Sequence, residues 1–360
     1  MNTIVETDIE TEEVPEDEEE DAYVQYDIAT YPSDLTVLVL KSMWDGGQII
    51  IPEFQRNYVW TIKQASLLIE SFLVGLPVPQ AFFYIDKENR NLVIDGQQRI
   101  TTLAFYLNGY FGSEDFQGKK QVFRLTGLSK KSPFQGKRFT DLDEKDQRKL
   151  TNSVLRVVNI RQMAPRDDDT ASFHIFERLN TGGTPLKPQE IRNCVFHGQI
   201  VTDLSVLNRD KNWRKIVGRD AVDKHKRDEE IVLRIFSLFE RAEKYEKPMK
   251  EFLNISMKEN RQANTLKFMQ FKDRFPIVCK KFIDNFGEKP FHLRGPMNLA
   301  AADCIMAECI KNYDKKFDVA KKNFESLMDD PKFREDIFFN TSDASVVKRR
   351  IDRVKTLFKE

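Results

Sequence analysis

Cysteine and histidine are scarce in this chain, four of each among 360 residues. Cys194, Cys279, Cys304 and Cys309 are too few to staple a disulfide scaffold, so reduced, buried thiols are expected. His174, His197, His225 and His292 stand far apart, with no His pair at metal-ligand spacing in the C-terminal half. Long apolar runs are missing too. The longest, such as LTVLVL at 35–40, fall far short of the roughly 18 residues a membrane span needs. The N-terminus has no apolar stretch of the kind a secretory signal requires, and no solenoid-type repeat recurs. A soluble, cytoplasmic protein without a membrane partner is the expectation.

The first 21 residues lack Lys and Arg altogether but hold eleven acids. The formal net charge of zero, 57 bases against 57 acids, therefore conceals two unlike parts: residues 22–360 carry 57 bases against 46 acids, or +11. Residues 1–32 read as a disordered acidic tail. That tail either only solubilises the chain or folds back over a basic surface and competes with nucleic acid. What is abundant is apolar: 28 Phe and 40% hydrophobic residues exclude a chain disordered throughout. The length suits about two domains.

Order is expected from near Ser33, with a helix over about 35–44 closed by Gly46-Gly47 and a short strand in QIIIPEF. Thr61 with Gln64 three residues on is a capping-box signature for a helix running to Gly75. AFFYID and LVID read as strands about the turn KENRN. QQRITTLAFYLN has helical spacing, with Ile100, Leu103, Ala104 and Leu107 on one face and Gly109 at its end. After a basic, loop-rich stretch over 110–150, VLRVVNI reads as a strand and ASFHIFERLN as a helix. Pro188 opens a short helix to Phe196, because the N–H it lacks is not needed there. Beyond about residue 198 strand signals vanish and the remaining segments have helical period. The fold class is α+β: a domain with a small mixed sheet over 33–198, then an α-helical domain over 199–360.

Three segments carry chemistry. In Asp95-Gly96-Gln97-Gln98-Arg99 a strand delivers a carboxylate, a glycine turns the backbone, and a helix starts with Gln and Arg in its first turn. First-turn N–H groups lack intrahelical partners and bear partial positive charge, which suits an anion, and an Arg fork there grips phosphate oxygens. Asp95 then has reason to bind a metal, a ribose hydroxyl or a water. The alternative is that Asp95 caps the helix and Arg99 pairs with a carboxylate elsewhere. In IPEFQRNYVW at 51–60, Arg56 can reach a phosphate while Tyr58 or Trp60 stacks on a base or sugar; alternatively Phe54, Tyr58 and Trp60 anchor the loop in the core. In FERLNTGGTPL at 176–186, Gly182 and Gly183 allow close backbone approach to a ligand with Asn180 and Thr181 bonding to it, or they merely form an interhelix turn.

Taken together, IPEFQRNYVW, DGQQRITTL and FERLNTGGTPLKPQEIRNCVF resemble the GmrSD-type restriction endonuclease N-terminal domain, a family in the ParB/sulfiredoxin-like superfamily. The resemblance covers about residues 34–200, with a looser echo in KRDEEIVLRIF at 226–236 and TSDASVVKRRI at 341–351. It implies a ParB-like α+β fold over 33–198 that binds a nucleoside triphosphate, with Mg2+ as a companion ion, in bacterial defence against modified foreign DNA. By that resemblance Asp95, Gln98 and Arg99 are candidate catalytic residues of an NTP hydrolase. Gln55, Arg56, Tyr58, Gly96, Gln97, Arg99, Thr101, Arg178, Asn180, Thr181, Gly182 and Gly183 are candidate nucleotide-binding residues.

Full-length relatives often add a C-terminal HNH nuclease, and the scattered histidines do not match one. The chain is therefore expected to sense nucleotide as a regulatory component; a further alternative is a non-catalytic interaction subunit whose partner, a separate nuclease subunit, does the cutting. DNA binding or cleavage is the competing reading, supported by the +11 and by Lys119–Lys120, Lys130–Lys131 and Lys348–Arg350.

Overall fold

The computed structural model describes residues 27–51, 58–112, 120–164, 170–179, 187–313 and 321–358. The chain divides into two compact units, Gln25–Pro185 and a second containing Leu186–Glu360. In the first, strands β1 (Asp27–Thr36), β2 (Ile49–Ile50), β3 (Ala81–Ile85), β4 (Asn91–Asp95) and β7 (Val154–Ala164) form one sheet in the order β1-β7-β3-β4-β2. It is mixed: β1 runs antiparallel to β7, β7 parallel to β3, β3 antiparallel to β4, and β4 parallel to β2. A short hairpin pairs β5 (Tyr110–Phe111) with β6 (Gln121–Val122). Around the sheet lie α1 (Val37–Asp45), α2 (Ile62–Val74), α3 (Gln97–Asn108), α4 (Glu144–Asn152) and α5 (Thr170–Leu179).

Local chemistry accounts for these elements. Thr61 Oγ1 accepts from the Gln64 N–H, and Gln64 Oε1 accepts from the Thr61 N–H, so both ends of the box at the start of α2 are closed. Gly75 ends that helix in the left-handed conformation at φ 85°. In β7, Leu155 and Val157 are buried while Val154 and Arg156 face outward, the period of a strand with one covered face. β3 in the middle of the sheet buries Ala81, Phe83, Tyr84 and Ile85, which is why AFFYI is apolar without strict alternation.

One expectation is corrected at the start of the chain. Residues 27–32, expected to belong to the disordered tail, lie in β1, which spans residues 27–36, and α1 starts only at Val37. Pro32 and three flanking hydroxyl or acidic residues disguise the strand. Pro lacks a ladder donor and is tolerated on an edge, and β1 is the sheet's edge. Arg156 holds this edge through Asp34, with Nε–Oδ1 at 2.9 Å. The strand expected in QIIIPEF is only the pair Ile49–Ile50 among the described residues; 52–57 lie outside them.

The second unit contains α6 (Pro188–Val195), α7 (Gln199–Asn208), α8 (Lys211–Val217), α9 (Arg227–Arg241), α10 (Met249–Glu259), α11 (Leu266–Phe286), α12 (Leu299–Lys311), α13 (Lys321–Asp329), α14 (Pro331–Phe338) and α15 (Ala344–Val354). No strand occurs in it among the described residues. All four cysteines lie here, free and buried, and burial pushes the Cys304 thiol up to about 12.

The core of this unit also holds charge. Asp303 on α12 is fully buried and receives Arg234 of α9, Nη2–Oδ2 3.0 Å, while Arg350 of α15 lies 3.6 Å from its other oxygen. The two looser sequence echoes thus converge on one carboxylate. Arg350 donates through Nη1 to the Thr341 carbonyl at 2.6 Å and is itself fully buried. Removing one member of such a group strands the others away from water. Asp303→Ala should lower unfolding stability by about 3–5 kcal/mol in a denaturant titration. The apolar triple replacement Asp303→Leu, Arg234→Met and Arg350→Met should recover most of that loss.

Candidate functional site

The junction between β4 and α3 gathers the central motif. β4 ends on Asp95, Gly96 sits at φ 99° and ψ 3°, and α3 begins at Gln97. A glycine is required here on two counts. The left-handed conformation disfavours any Cβ, and a Cβ at this position would lie 2.5 Å from the Ala81 Cβ on β3. The backbone therefore passes close against the neighbouring strand, and the start of α3 is set by that approach. No side chain caps the helix.

Arg99 and Asp95 bind each other. Arg99 Nη2 donates to Asp95 Oδ2 at 2.7 Å and to the Gln80 carbonyl at 3.0 Å. The Asp95 side chain is 41% exposed and that of Arg99 is 16% exposed, so the pair sits at the rim with the carboxylate open to solvent. The carboxylate that Arg99 pairs with is thus that of its own motif and not one elsewhere. Arg99 Nε is buried and has no hydrogen-bond partner among the described residues. The same holds for Thr101 Oγ1, whose side chain is 5% exposed.

Gln98 and Tyr58 tie the first motif to the second. Gln98 Oε1 accepts from the Val59 N–H at 3.1 Å and the Trp60 N–H at 3.3 Å. One turn further on, the Thr102 hydroxyl donates to the Gln98 carbonyl at 2.6 Å and lies 2.7 Å from the Tyr58 hydroxyl. The Tyr58 ring packs between Phe105 and Phe111, with centroids 5.1 and 5.5 Å away. Burial pushes the Tyr58 phenol up to about 12, against the opposing bond to Thr102. Tyr58 thus anchors the loop here, the second of its two sequence readings. Residues 58–60 are fixed on α3, directly after the segment that holds Gln55 and Arg56.

Several candidates fall elsewhere. Gln55, Arg56, Asn180, Thr181, Gly182 and Gly183 lie outside the described residues. Gln97 is half-buried in the first turn of α3, and Arg178 is exposed on α5, which packs against β4. Three residues that sequence reasoning did not single out matter to the geometry: Thr102, Gln80 and Ala81. Thr102 was legible as the residue four beyond Gln98, on the same helical face. Gln80 acts through its carbonyl and Ala81 through its small size against Gly96, and neither leaves a motif.

The end of the third motif lies in the second unit, where its polar residues serve packing. Arg192, 1% exposed, donates to Asn254 Oδ1 at 2.8 Å and to Glu230 Oε2 at 2.8 Å. Asn193 Nδ2 donates to Glu229 Oε2 at 3.0 Å. Glu190 closes the first turn of α6 by accepting from the Lys187 N–H at 2.7 Å. Among the described residues no group of three or more His, Cys, Asp or Glu is arranged to hold a metal. No described helix is long and apolar enough to cross a membrane.

The close approach at Gly96 yields a direct expectation. Gly96→Ala should destabilise the protein by about 2–4 kcal/mol, combining the left-handed backbone and the clash with Ala81. Adding Ala81→Gly should restore the steric share and leave the backbone share, as read by denaturant midpoints of the single and double variants.

No curated protein matches this chain. A solved Pnob8-like ParB-N domain in a C2221 crystal form is 11% identical, covering 93% of this chain and 100% of its own, with a TM-score of 0.21. At that score the likeness carries no weight, and the α+β class rests on the sheet and helices themselves. The family described as GmrSD restriction endonuclease, N-terminal domain, matches residues 39–197, a span that includes β4, Gly96, α3 and the whole of α6. Over residues 39–197 this chain is thus similar to the GmrSD restriction endonuclease N-terminal domain family.

Proposed function

We propose that this chain binds a nucleoside triphosphate at the β4–Gly96–α3 junction and hydrolyses it as the sensing component of a restriction system directed at foreign DNA. The observation that carries the reading is a helix start with no side-chain cap among the described residues, held beside an Arg whose Nη2 is bonded to Asp95 and Gln80 and whose buried Nε has no partner among them. The similarity of residues 39–197 to the GmrSD restriction endonuclease N-terminal domain family supports the restriction context. Phosphate at the first turn of α3 would compete with Asp95 for Arg99, since both are anions seeking the same guanidinium. Gln98 then acts by keeping residues 59 and 60 against α3. Thr101 has a buried hydroxyl left to offer.

The donor set suits Mg2+ held chiefly by phosphate and water, for which one or two carboxylates suffice; Asp95 is the carboxylate of the motif. Bound there, the ion would neutralise phosphate charge during transfer. The residues of this chain would do the rest: Arg99 grips the phosphates and Asp95, once released from Arg99, orients a water. Gln55, Arg56, Asn180, Thr181, Gly182 and Gly183 are assigned to closing over the nucleotide.

Titrating the full chain with each of the four NTPs and Mg2+ tests this. Wild type should bind at least one. Arg99→Ala should weaken that binding by about 10- to 100-fold, the worth of a charged hydrogen-bonding group. Failure of wild type to bind any NTP would sink the reading.

A further inference from the structure

Residues 116–140 contain seven bases and no acid, in a chain where bases and acids are equal in number. The described part of this run, from Lys120 onward, makes a hairpin-like excursion. The Leu125 N–H donates to the Lys137 carbonyl at 3.0 Å, and the Gly136 N–H donates to the Leu125 carbonyl at 2.7 Å. At the tip the Ser132 N–H donates to the Ser129 carbonyl at 2.9 Å, which leaves Lys130 and Lys131 exposed in the turn between them.

Apolar anchors hold the excursion in place. Phe123, Leu125, Leu128 and Phe134 are buried in the core of the first unit. Two hydrogen bonds fasten it to α2, from the Thr126 N–H to Ser66 Oγ at 2.8 Å and from Ser132 Oγ to Glu70 Oε1 at 2.6 Å. Lys63 of α2 lies alongside: a Cβ at Gly127 would come within 2.8 Å of its Cγ. The excursion is therefore fixed on the domain, with Lys130 and Lys131 exposed and Lys137 half-buried.

Those charges divide into two groups. Arg124 and Arg138 are both answered by Asp141, at 3.2 and 2.7 Å. Lys63, Lys130, Lys131 and Lys137 form no ion pair with any described carboxylate. Glu70 of α2 accepts from the Ser132 hydroxyl and forms no ion pair with these lysines among the described residues. Elsewhere on the molecule many exposed bases have partners: Lys355 with Asp352, Arg349 with Asp336, Lys247 with Asp343 and Arg148 with Glu144. The bland reading of a lysine cluster is a solvated face, but solvation alone does not call for an acid-free run on a pinned support.

We propose that the 120–138 excursion, with Lys63, is a docking surface for the phosphate backbone of duplex DNA, separate from the nucleotide site at α3. The surface supplies charge on a rigid mount without groove-reading elements, so it positions DNA and does not read sequence. This goes beyond the nucleotide reading and does not depend on it.

Fluorescence anisotropy of the full chain with a short DNA duplex tests the surface across a salt series. Four contacts predict a slope of log K against log salt near −3.6, about a hundredfold loss between 50 and 200 mM. Lys130→Ala/Lys131→Ala/Lys137→Ala should lower affinity and make the slope shallower by about 2.7. The exposed pair Lys321→Ala/Lys322→Ala on α13 should change neither, and Arg99→Ala should leave DNA affinity intact while weakening NTP binding. Circular dichroism should find the lysine variants folded as wild type, since all the changed side chains lie outside the core. Absence of wild-type DNA binding would overturn the proposal, as would an unchanged slope in the triple variant. So would an equal loss in the α13 pair, or competition by polyglutamate as effective as that by DNA.

Discussion

Everything at the candidate site hangs on the space where a side chain is missing. Because Gly96 has no Cβ, β4 can end against Ala81 of β3 and turn at once into α3. That single close approach sets where Asp95 leaves the sheet and where Arg99 meets it and the Gln80 carbonyl. It also fixes the helical face from which Gln98 and Thr102 hold residues 58–60. Move the start of α3 by the width of one methyl group and all of these distances change together. The geometry is shared, so its parts cannot be tuned one at a time.

The Asp95–Arg99 pair gives the junction a resting state. Half-exposed carboxylate and mostly covered guanidinium satisfy each other in the absence of an anion, at the modest strength of a partly solvated ion pair. Such a pair keeps Arg99 oriented beside the first turn of α3. Beside it, Arg99 Nε and Thr101 Oγ1 are buried without a hydrogen-bond partner among the described residues, which is uncommon in a folded protein.

Much of the fold was legible because its signals are local. The Thr61–Gln64 box, the helix after Gly96 and the apolar runs of β3, β4 and β7 each follow from spacing that neighbours in sequence supply. β1 was not legible, since its stability comes from ten residues of pairing with β7, far along the chain, and its Pro argues locally against a strand. At the site, the residue types of the DGQQR segment pointed to anion chemistry, but the partner of Arg99 could not be read. Whether an Arg pairs four residues back or elsewhere depends on how sharply Gly96 turns, and that depends on Ala81. Tyr58 was open between stacking on a ligand and anchoring until Thr102, Phe105 and Phe111 were seen around it.

The buried polar side of α6 bears on where this chain can be cut. The family span closes at residue 197, just past α6, yet Arg192 and Asn193 find their partners on α9 and α10, well downstream. A fragment ending at 197 would retain those polar side chains and lose the groups that satisfy them. Such a fragment would expose a helix patterned for an interior, prone to fray or to seek contacts with other copies of itself. The boundary of shared sequence and the boundary of independent folding are different places in this protein.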